Sequence, residues 1–226
     1  VAAGNCLIGD AKKTKNSMAV TALSRYGFNQ LVGYTVPSWY GKGGWGTLGL
    51  LFSNHDASSL AEAWYLNNQF ILDETMTRFP KLMDVHFNSP DINGIKDDPD
   101  FARGMNSAGY GMGKDQLGLI HDRDTVAFYG DPAWTARLDE SRATSPWHID
   151  WNDPADASKG FTVTANKDAK GRLGVWFPNR INAGKATVII GGTATPIEKA
   201  GLLTNDFLLL RELELKKGEK AVVEIE

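Results

Sequence analysis

Val1-Ala2-Ala3-Gly4-Asn5-Cys6-Leu7-Ile8-Gly9-Asp10 opens the sequence as a short apolar run that stops at the only cysteine of the chain. A run of this kind, closed by a small-residue turn, reads as a strand whose last side chain lies at the carboxyl edge of a sheet, where open α/β folds place their chemistry. Gly4 and Gly9 flank Cys6, so the backbone turns tightly on both sides and a substrate main chain has room to approach. Two roles are open to the thiol. Free cysteine is most often a small buried hydrophobe, whereas a thiolate at a sheet edge is a nucleophile.

The segments after Asp10 build a unit around that edge. Asn16-Ser17 supplies N-cap residues after a lysine-bearing loop, and Met18, Ala19, Ala22, Leu23 and Tyr26 share one helical face before Gly27 closes the helix. Leu31 to Val36 reads as a second strand, buried on both faces and ended by Pro37. Strand, helix and strand with short connections predict a βαβ unit, with the two strands parallel, adjacent and joined by a right-handed crossover. Pro37 to Gly46 then leaves at the same edge as Cys6, and its Trp39, Tyr40 and Trp45 among Gly41, Gly43, Gly44 and Gly46 read as an aromatic loop with a mobile backbone. Either those rings pack down on the domain or they form a binding wall.

Ser59-Leu60-Ala61-Glu62 is a capping box that opens a long helix to about Phe79, with Leu60, Trp64, Ile71, Leu72 and Phe79 facing inward and Pro80 as its stop. Asn88 to Gly118 is acidic and glycine-bearing and reads as a solvated loop. Asp91, Asn93, Asp97, Asp98 and Asp100 raise the option of calcium, but their spacing is not that of an EF-hand loop, so no cofactor is expected. Gly104, Gly109, Gly111, Gly113 and Gly118 do not form the ordered phosphate-binding pattern. Asp124 to Tyr129 is a short strand, followed by the turn Gly130-Asp131-Pro132.

Ser141 to Pro146 has the composition of a linker. Beyond it, Phe161-Val163-Ala165, Leu173-Val175-Phe177, Ala186-Val188-Ile190, Leu208-Leu210 and Val222-Val223-Ile225 are short alternating runs, separated by turn residues at 168–171 and 216–219. They predict a small all-β sandwich, a structural or docking appendage rather than a second active site. The expected organisation is thus an α/β domain over residues 1–142 and a β domain over 143–226.

Composition narrows the function. At 226 residues the chain can bury a sizeable core. Its formal net charge of −3 gives no basic field, so nucleic acid is not an expected partner. No apolar run approaches the roughly 18 to 20 residues that span a bilayer. A single cysteine forms no internal disulfide and supplies no multi-cysteine metal site. Val1 begins directly in strand-like sequence with no initiator methionine and no leader, from which the expectation is that the chain is the downstream part of something longer.

Cys6-Leu7-Ile8-Gly9-Asp10, the helix opened by Ser17-Met18-Ala19, the second strand followed by Ser38-Trp39, the helix near Ala61-Glu62-Ala63 and Gly130-Asp131-Pro132 before a sandwich resemble, in that order, the gingipain-type cysteine peptidases of caspase-like fold. The resemblance covers most of residues 1 to 140 and, by architecture only, the β-rich remainder of the chain. It implies a caspase-like parallel-sheet domain, here partial, followed by an immunoglobulin-like sandwich. It implies that Cys6 attacks the scissile carbonyl of a protein or peptide substrate, with its own backbone N–H in the oxyanion hole. Ser38 and Trp39 then belong to the substrate pocket, Trp39 as an aromatic wall suited to a long cationic side chain. A secreted or cell-surface bacterial protein is implied by the same likeness.

In that family the catalytic histidine belongs to a His-Gly pair upstream of the cysteine. None of His55, His86, His121 and His148 is followed by glycine, so the resemblance implies an upstream segment of the same precursor as the source of the base; these four read as surface or structural histidines, with one of them as the base of a rearranged dyad as the alternative. The loop after Asp10 is lysine-rich where the family often has an aromatic residue, and no acidic pocket floor is located. A different class of function is a catalytically inactive surface protein that keeps the fold and binds a partner through the aromatic loop. A third is acyl transfer to an amine, which shares every step up to the acyl-enzyme.

Overall fold

The computed structural model describes residues 6–11, 17–53, 59–87, 98–134 and 145–226. The protein is a mixed α/β chain with six α-helices and antiparallel sheets among these residues. It divides into two compact units, Val1–Gly49 with Ser59–Ala136, and Leu50–Ser58 with Arg137–Glu226.

In the first unit, helix α1 (Met18–Arg25) begins where its cap predicts: the Ser17 hydroxyl accepts from Val20 N–H, and Gly27 follows with a left-handed φ of 70°. Strand β1 (Gln30–Tyr34) is buried along its whole length. Helix α3 (Leu60–Arg78) carries the full capping box, Ser59 to Glu62 and back, and ends before Pro80. Its buried residues are Leu60, Ala63, Leu66, Asn67, Phe70, Ile71, Asp73 and Thr75, so Trp64, Leu72 and Phe79 lie only partly inside.

Three sequence expectations are corrected here. Pro37 to Gly46 is not one loop, because helix α2 (Lys42–Ser53) starts inside it despite four glycines. The stretch expected to be a solvated loop contains helix α4 (Pro99–Ala108), capped by Asp98, and the start of helix α5 (Lys114–Thr125); residues 88–97 lie outside the described residues. The parallel βαβ sheet is not what the described residues form. Strand β2 (Val126–Gly130) succeeds α5 without a break and pairs antiparallel with β1, Gln30 opposite Gly130 and Tyr34 opposite Val126. Residues 1–5, where the sequence predicts the first strand, lie outside the described residues, and Cys6 to Gly9 form a turn.

In the second unit all five alternating runs are strands. With β3 (Trp147–Trp151), β4 (Phe161–Ala165), β5 (Ala169–Trp176), β6 (Ala186–Ile190), β7 (Thr193–Pro196), β8 (Gly201–Leu203), β9 (Phe207–Leu215) and β10 (Lys220–Ile225), they form two sheets of order β3-β4-β10-β6-β7 and β5-β9-β8, every pair antiparallel. Helix α6 (Ile197–Ala200) lies between β7 and β8. Period two decides which side chains go inward: Phe161, Val163 and Ala165 of β4 and Ala221 and Val223 of β10 share one apolar core with Leu173 and Val175 of β5 and Leu208, Leu210, Leu213 and Leu215 of β9. The expected turn at 168–171 is shorter than the sequence indicates, because β5 already begins at Ala169. No helix among the described residues is long and apolar enough to cross a membrane.

Candidate active site around Cys6

The turn bearing Cys6 is mounted on β1 by backbone hydrogen bonds. Gly9 N–H donates to Tyr34 O at 2.9 Å and Leu7 N–H to Val36 O at 3.4 Å, while the Tyr129 hydroxyl donates to Gly9 O at 2.6 Å. The two main chains cross at Gly9 and Gly33: a Cβ on Gly9 would lie 2.5 Å from Gly33 O, and one on Gly33 would meet the Ile8 side chain and, at 2.9 Å, Gly9 N. Glycine at both positions is therefore what permits the crossing. Leu7, directly after the cysteine, has φ 61° and is the one non-glycine with positive φ among the described residues. That conformation costs a leucine about 1–2 kcal/mol, which the bonds on either side of it offset.

The thiol is exposed and faces Ser38. Ser38 N–H donates to Cys6 Sγ at 3.1 Å, the Ser38 hydroxyl lies 3.6 Å from the sulfur, and the S–H can donate to Ser38 O at 3.3 Å. The Ser38 hydroxyl first and its backbone second hold the thiol below the ordinary cysteine value, against a small opposing effect of burial. Hydrogen bonds that favour the anion are what a nucleophilic thiol requires. Alkylation of Cys6, read by mass spectrometry across pH, is therefore expected to keep its rate to lower pH than that of a free cysteine. Ser38→Ala removes the larger contribution, so its rate profile moves to higher pH; a profile that stays put would show that Ser38 does not act on the sulfur.

Trp39, the next residue, is 38% exposed, with its ring tilted against Tyr40 at 5.7 Å. Tyr40 anchors this stretch. Its ring lies on the Cα of Gly118, its hydroxyl donates to Asp115 at 3.0 Å, and Lys42 Nζ stands 5.3 Å from its centroid. Arg78 bridges Asp115 and Glu74 at 2.6 Å each, and Lys42 reaches Glu74 at 2.6 Å. Arg78 first, then Tyr40, keeps Asp115 below the usual carboxylate range. Of the two tryptophans of the expected aromatic loop, Trp39 lies beside the thiol's partner, whereas Trp45 is 63% exposed on the first turn of α2.

Beneath this surface lies a polar group that sequence reading misses. His121 and Asp122 of α5 are both 0% exposed. His121 Nδ1 faces Asp122 Oδ1 at 3.0 Å, and Nε2 faces Pro37 O at 3.1 Å. Gly43 N–H donates to Asp122 Oδ2 at 2.8 Å, Gly44 N–H donates to the Tyr34 hydroxyl at 3.2 Å, and the amide of Asn67 donates to Lys42 O and Gly43 O. Burial first, then Asp122, pushes the Tyr34 phenol upward. The first turn of α2 thus has its orphan N–H groups satisfied by a carboxyl and a phenol, a capping arrangement drawn from distant segments rather than from its own Ncap residue. The one detectable signal is a His-Asp pair directly after the apolar Leu119-Ile120.

The other histidines stand elsewhere. His86 is exposed near Asp124, His148 pairs with Asp150 in the second unit, and His55 lies outside the described residues. His121 already uses both ring nitrogens. Among the described residues no group of three or more metal-ligating side chains comes together. Of the residues considered for calcium, Asp98 caps α4, Asp100 pairs with Arg103, and Asp91, Asn93 and Asp97 lie outside the described residues.

No family model matches this chain, and neither a curated protein nor a solved structure is detectably similar to it.

Proposed function

We propose that this chain carries the nucleophile of a cysteine endopeptidase of gingipain type, with a caspase-like domain followed by an immunoglobulin-like sandwich, acting outside the cell or at its surface. The observation that supports this reading is the exposed Cys6 thiol, biased toward its anion by Ser38 N–H and hydroxyl. In the proposed reaction the thiolate attacks the scissile carbonyl, the oxyanion takes hydrogen bonds from backbone N–H groups, and the amine leaves with a proton to give a thioester that water opens. Trp39, partly exposed beside Ser38, forms a wall for the side chain that precedes the cut.

The acid–base partner comes, on this reading, from a histidine outside the present sequence. Among the described histidines, His121 is committed to Asp122 and Pro37, and His86 and His148 have their own partners, while His55 lies outside the described residues. The test is to treat the product of the full reading frame with a thiol-directed peptidyl inhibitor while following cleavage of a peptide library. One label on Cys6, parallel loss of cleavage, and no cleavage by Cys6→Ala are expected. Cleavage that survives Cys6→Ala excludes the proposal. An inert protein that still binds a partner through Trp39 and Trp45 would favour the inactive binding role instead.

A further inference from the structure

One peptide group joins the buried polar cluster to the exposed sulfur. The carbonyl of Pro37 faces His121 Nε2 at 3.1 Å, and the N–H on the other side of the same bond, that of Ser38, faces Cys6 Sγ at 3.1 Å. No peptide bond among the described residues is cis, so the C=O and N–H point to opposite sides of one plane. Imidazole and sulfur are therefore the two ends of a single polar unit. A carbonyl oxygen only accepts, which places a hydrogen on Nε2; a second hydrogen lies between Nδ1 and Asp122.

This peptide needs holding. The ring of Pro37 fixes its own φ, but ψ of Pro37 and φ of Ser38 remain able to turn the plane between them. A turned plane would bring the Pro37 oxygen, not the Ser38 hydrogen, toward the sulfur and would disfavour the thiolate. His121 opposes that rotation from a site with no freedom of its own: its ring stacks on Tyr34 with centroids 5.9 Å apart, meets the edge of Phe87 at 5.2 Å and lies 6.2 Å from Trp39. Asp122 fixes the ring through Nδ1 and is itself fixed by Gly43 N–H.

We propose that His121 is a positioning residue for the Cys6 thiolate: by donating to the Pro37 carbonyl it locks the Pro37–Ser38 peptide and polarises the Ser38 N–H toward the sulfur, with Asp122 orienting the imidazole. Serial hydrogen bonds strengthen one another, by roughly 10–30% per bond in condensed phase, so the effect reaches the sulfur through an intervening peptide. Among the described residues the ionisable groups that face His121 are Asp122 from its own helix and Tyr34 from β1; Phe87 and Trp39 bring aromatic faces only. At the sulfur, among the described residues, the facing groups are those of Ser38. The proposal rests on Cys6 being the nucleophile, yet its readout is the ionisation of the thiol and not peptide cleavage.

Two measurements test it. In His121→Phe, which keeps an aromatic ring in the cluster and removes both hydrogen bonds, the pH profile of Cys6 alkylation is expected to move to higher pH, with a several-fold slower rate below neutrality. His121→Gln, whose amide can donate to Pro37 O, is expected to restore much of it. A folded His121→Phe protein with the wild-type profile overturns the proposal. The second measurement does not depend on that variant folding: in the wild-type protein the His121 Nε2 nitrogen resonance is followed as the thiol ionises, with Cys6→Ala, a change at an exposed position, as the control. A resonance that moves with the thiol and loses that movement in Cys6→Ala supports the coupling, and one indifferent to the thiol refutes it. If the coupling holds while cleavage is absent, the peptidase reading fails and the positioning role stands.

Discussion

Asp122→Ala is expected to lower the stability of the first unit by about 3–5 kcal/mol, the range for removing one partner of a buried polar pair. The substitution leaves two buried groups without their partner at once, His121 Nδ1 and Gly43 N–H, and takes Asp122 away from the buried Tyr34 hydroxyl, which keeps Gly44 N–H. Each unmet donor in such a place costs about 1–3 kcal/mol, so the sum is a large share of the roughly 5–15 kcal/mol that holds a typical domain folded. The first turn of α2 should fray as well, because Gly43 and Gly44 have little intrinsic preference for helix. Urea unfolding of wild type, Asp122→Ala and Asp122→Asn measures this, with the asparagine variant expected between the other two. A loss below about 1 kcal/mol for the alanine variant would mean that the cluster is not a keystone of the unit.

Gly33→Val carries the second large effect, and its sign is the informative part. In an ordinary strand, valine replacing glycine is favourable on propensity, on a scale that spans about 1 kcal/mol. Here the new side chain would run into Ile8 and into the backbone of Gly9, whose nitrogen lies 2.9 Å from the position of the added Cβ. Main chain has no rotamer to change, so the turn must lift from β1, at a cost of about 1–3 kcal/mol typical of overpacking. Lifting it breaks the bonds of Gly9 N–H to Tyr34 O and Leu7 N–H to Val36 O and carries the sulfur away from Ser38. Thermal unfolding should show a lower midpoint, and alkylation of Cys6 should shift to higher pH. A variant more stable than wild type would show that the crossing is not close in solution.

Local signals are legible wherever one segment carries its own instructions. Ser17 and the Ser59–Glu62 box announce their helices through capping chemistry, and period two announces β4, β6 and β10 through side chains that alternate between more and less buried. Helix α2 is hidden because its reason for being helical lies far away. Gly43 would put a Cβ into Val126 and 3.2 Å from the Tyr34 oxygen, so close packing asks for glycine where propensity argues against it. Helix α5 is hidden by its own buried polar residues, since His121, Asp122 and Thr125 break the apolar stripe by which a helix is read.

The candidate site is legible only in part. Cys6 and Trp39 stand out by residue type and Ser38 only through the family resemblance, and the structure places Ser38 on the sulfur. The turn at Cys6 looks like a strand end in the sequence because a left-handed leucine leaves no mark there. His121 escapes notice because a histidine acting through a peptide bond bears no motif, only a place in three dimensions.

The glycine crossing also has a bearing on alignment. A ladder of two strands offers few pairings with which to choose its own offset, and a slip by one residue turns every side chain to the opposite face. Were β1 to slide, Val32 or Tyr34 would arrive beneath Gly9, and neither can accept a main chain at that distance. The pair Gly9 and Gly33 thus works as a key that fits one setting, and the sulfur is presented only by chains in which β1 has settled into that setting.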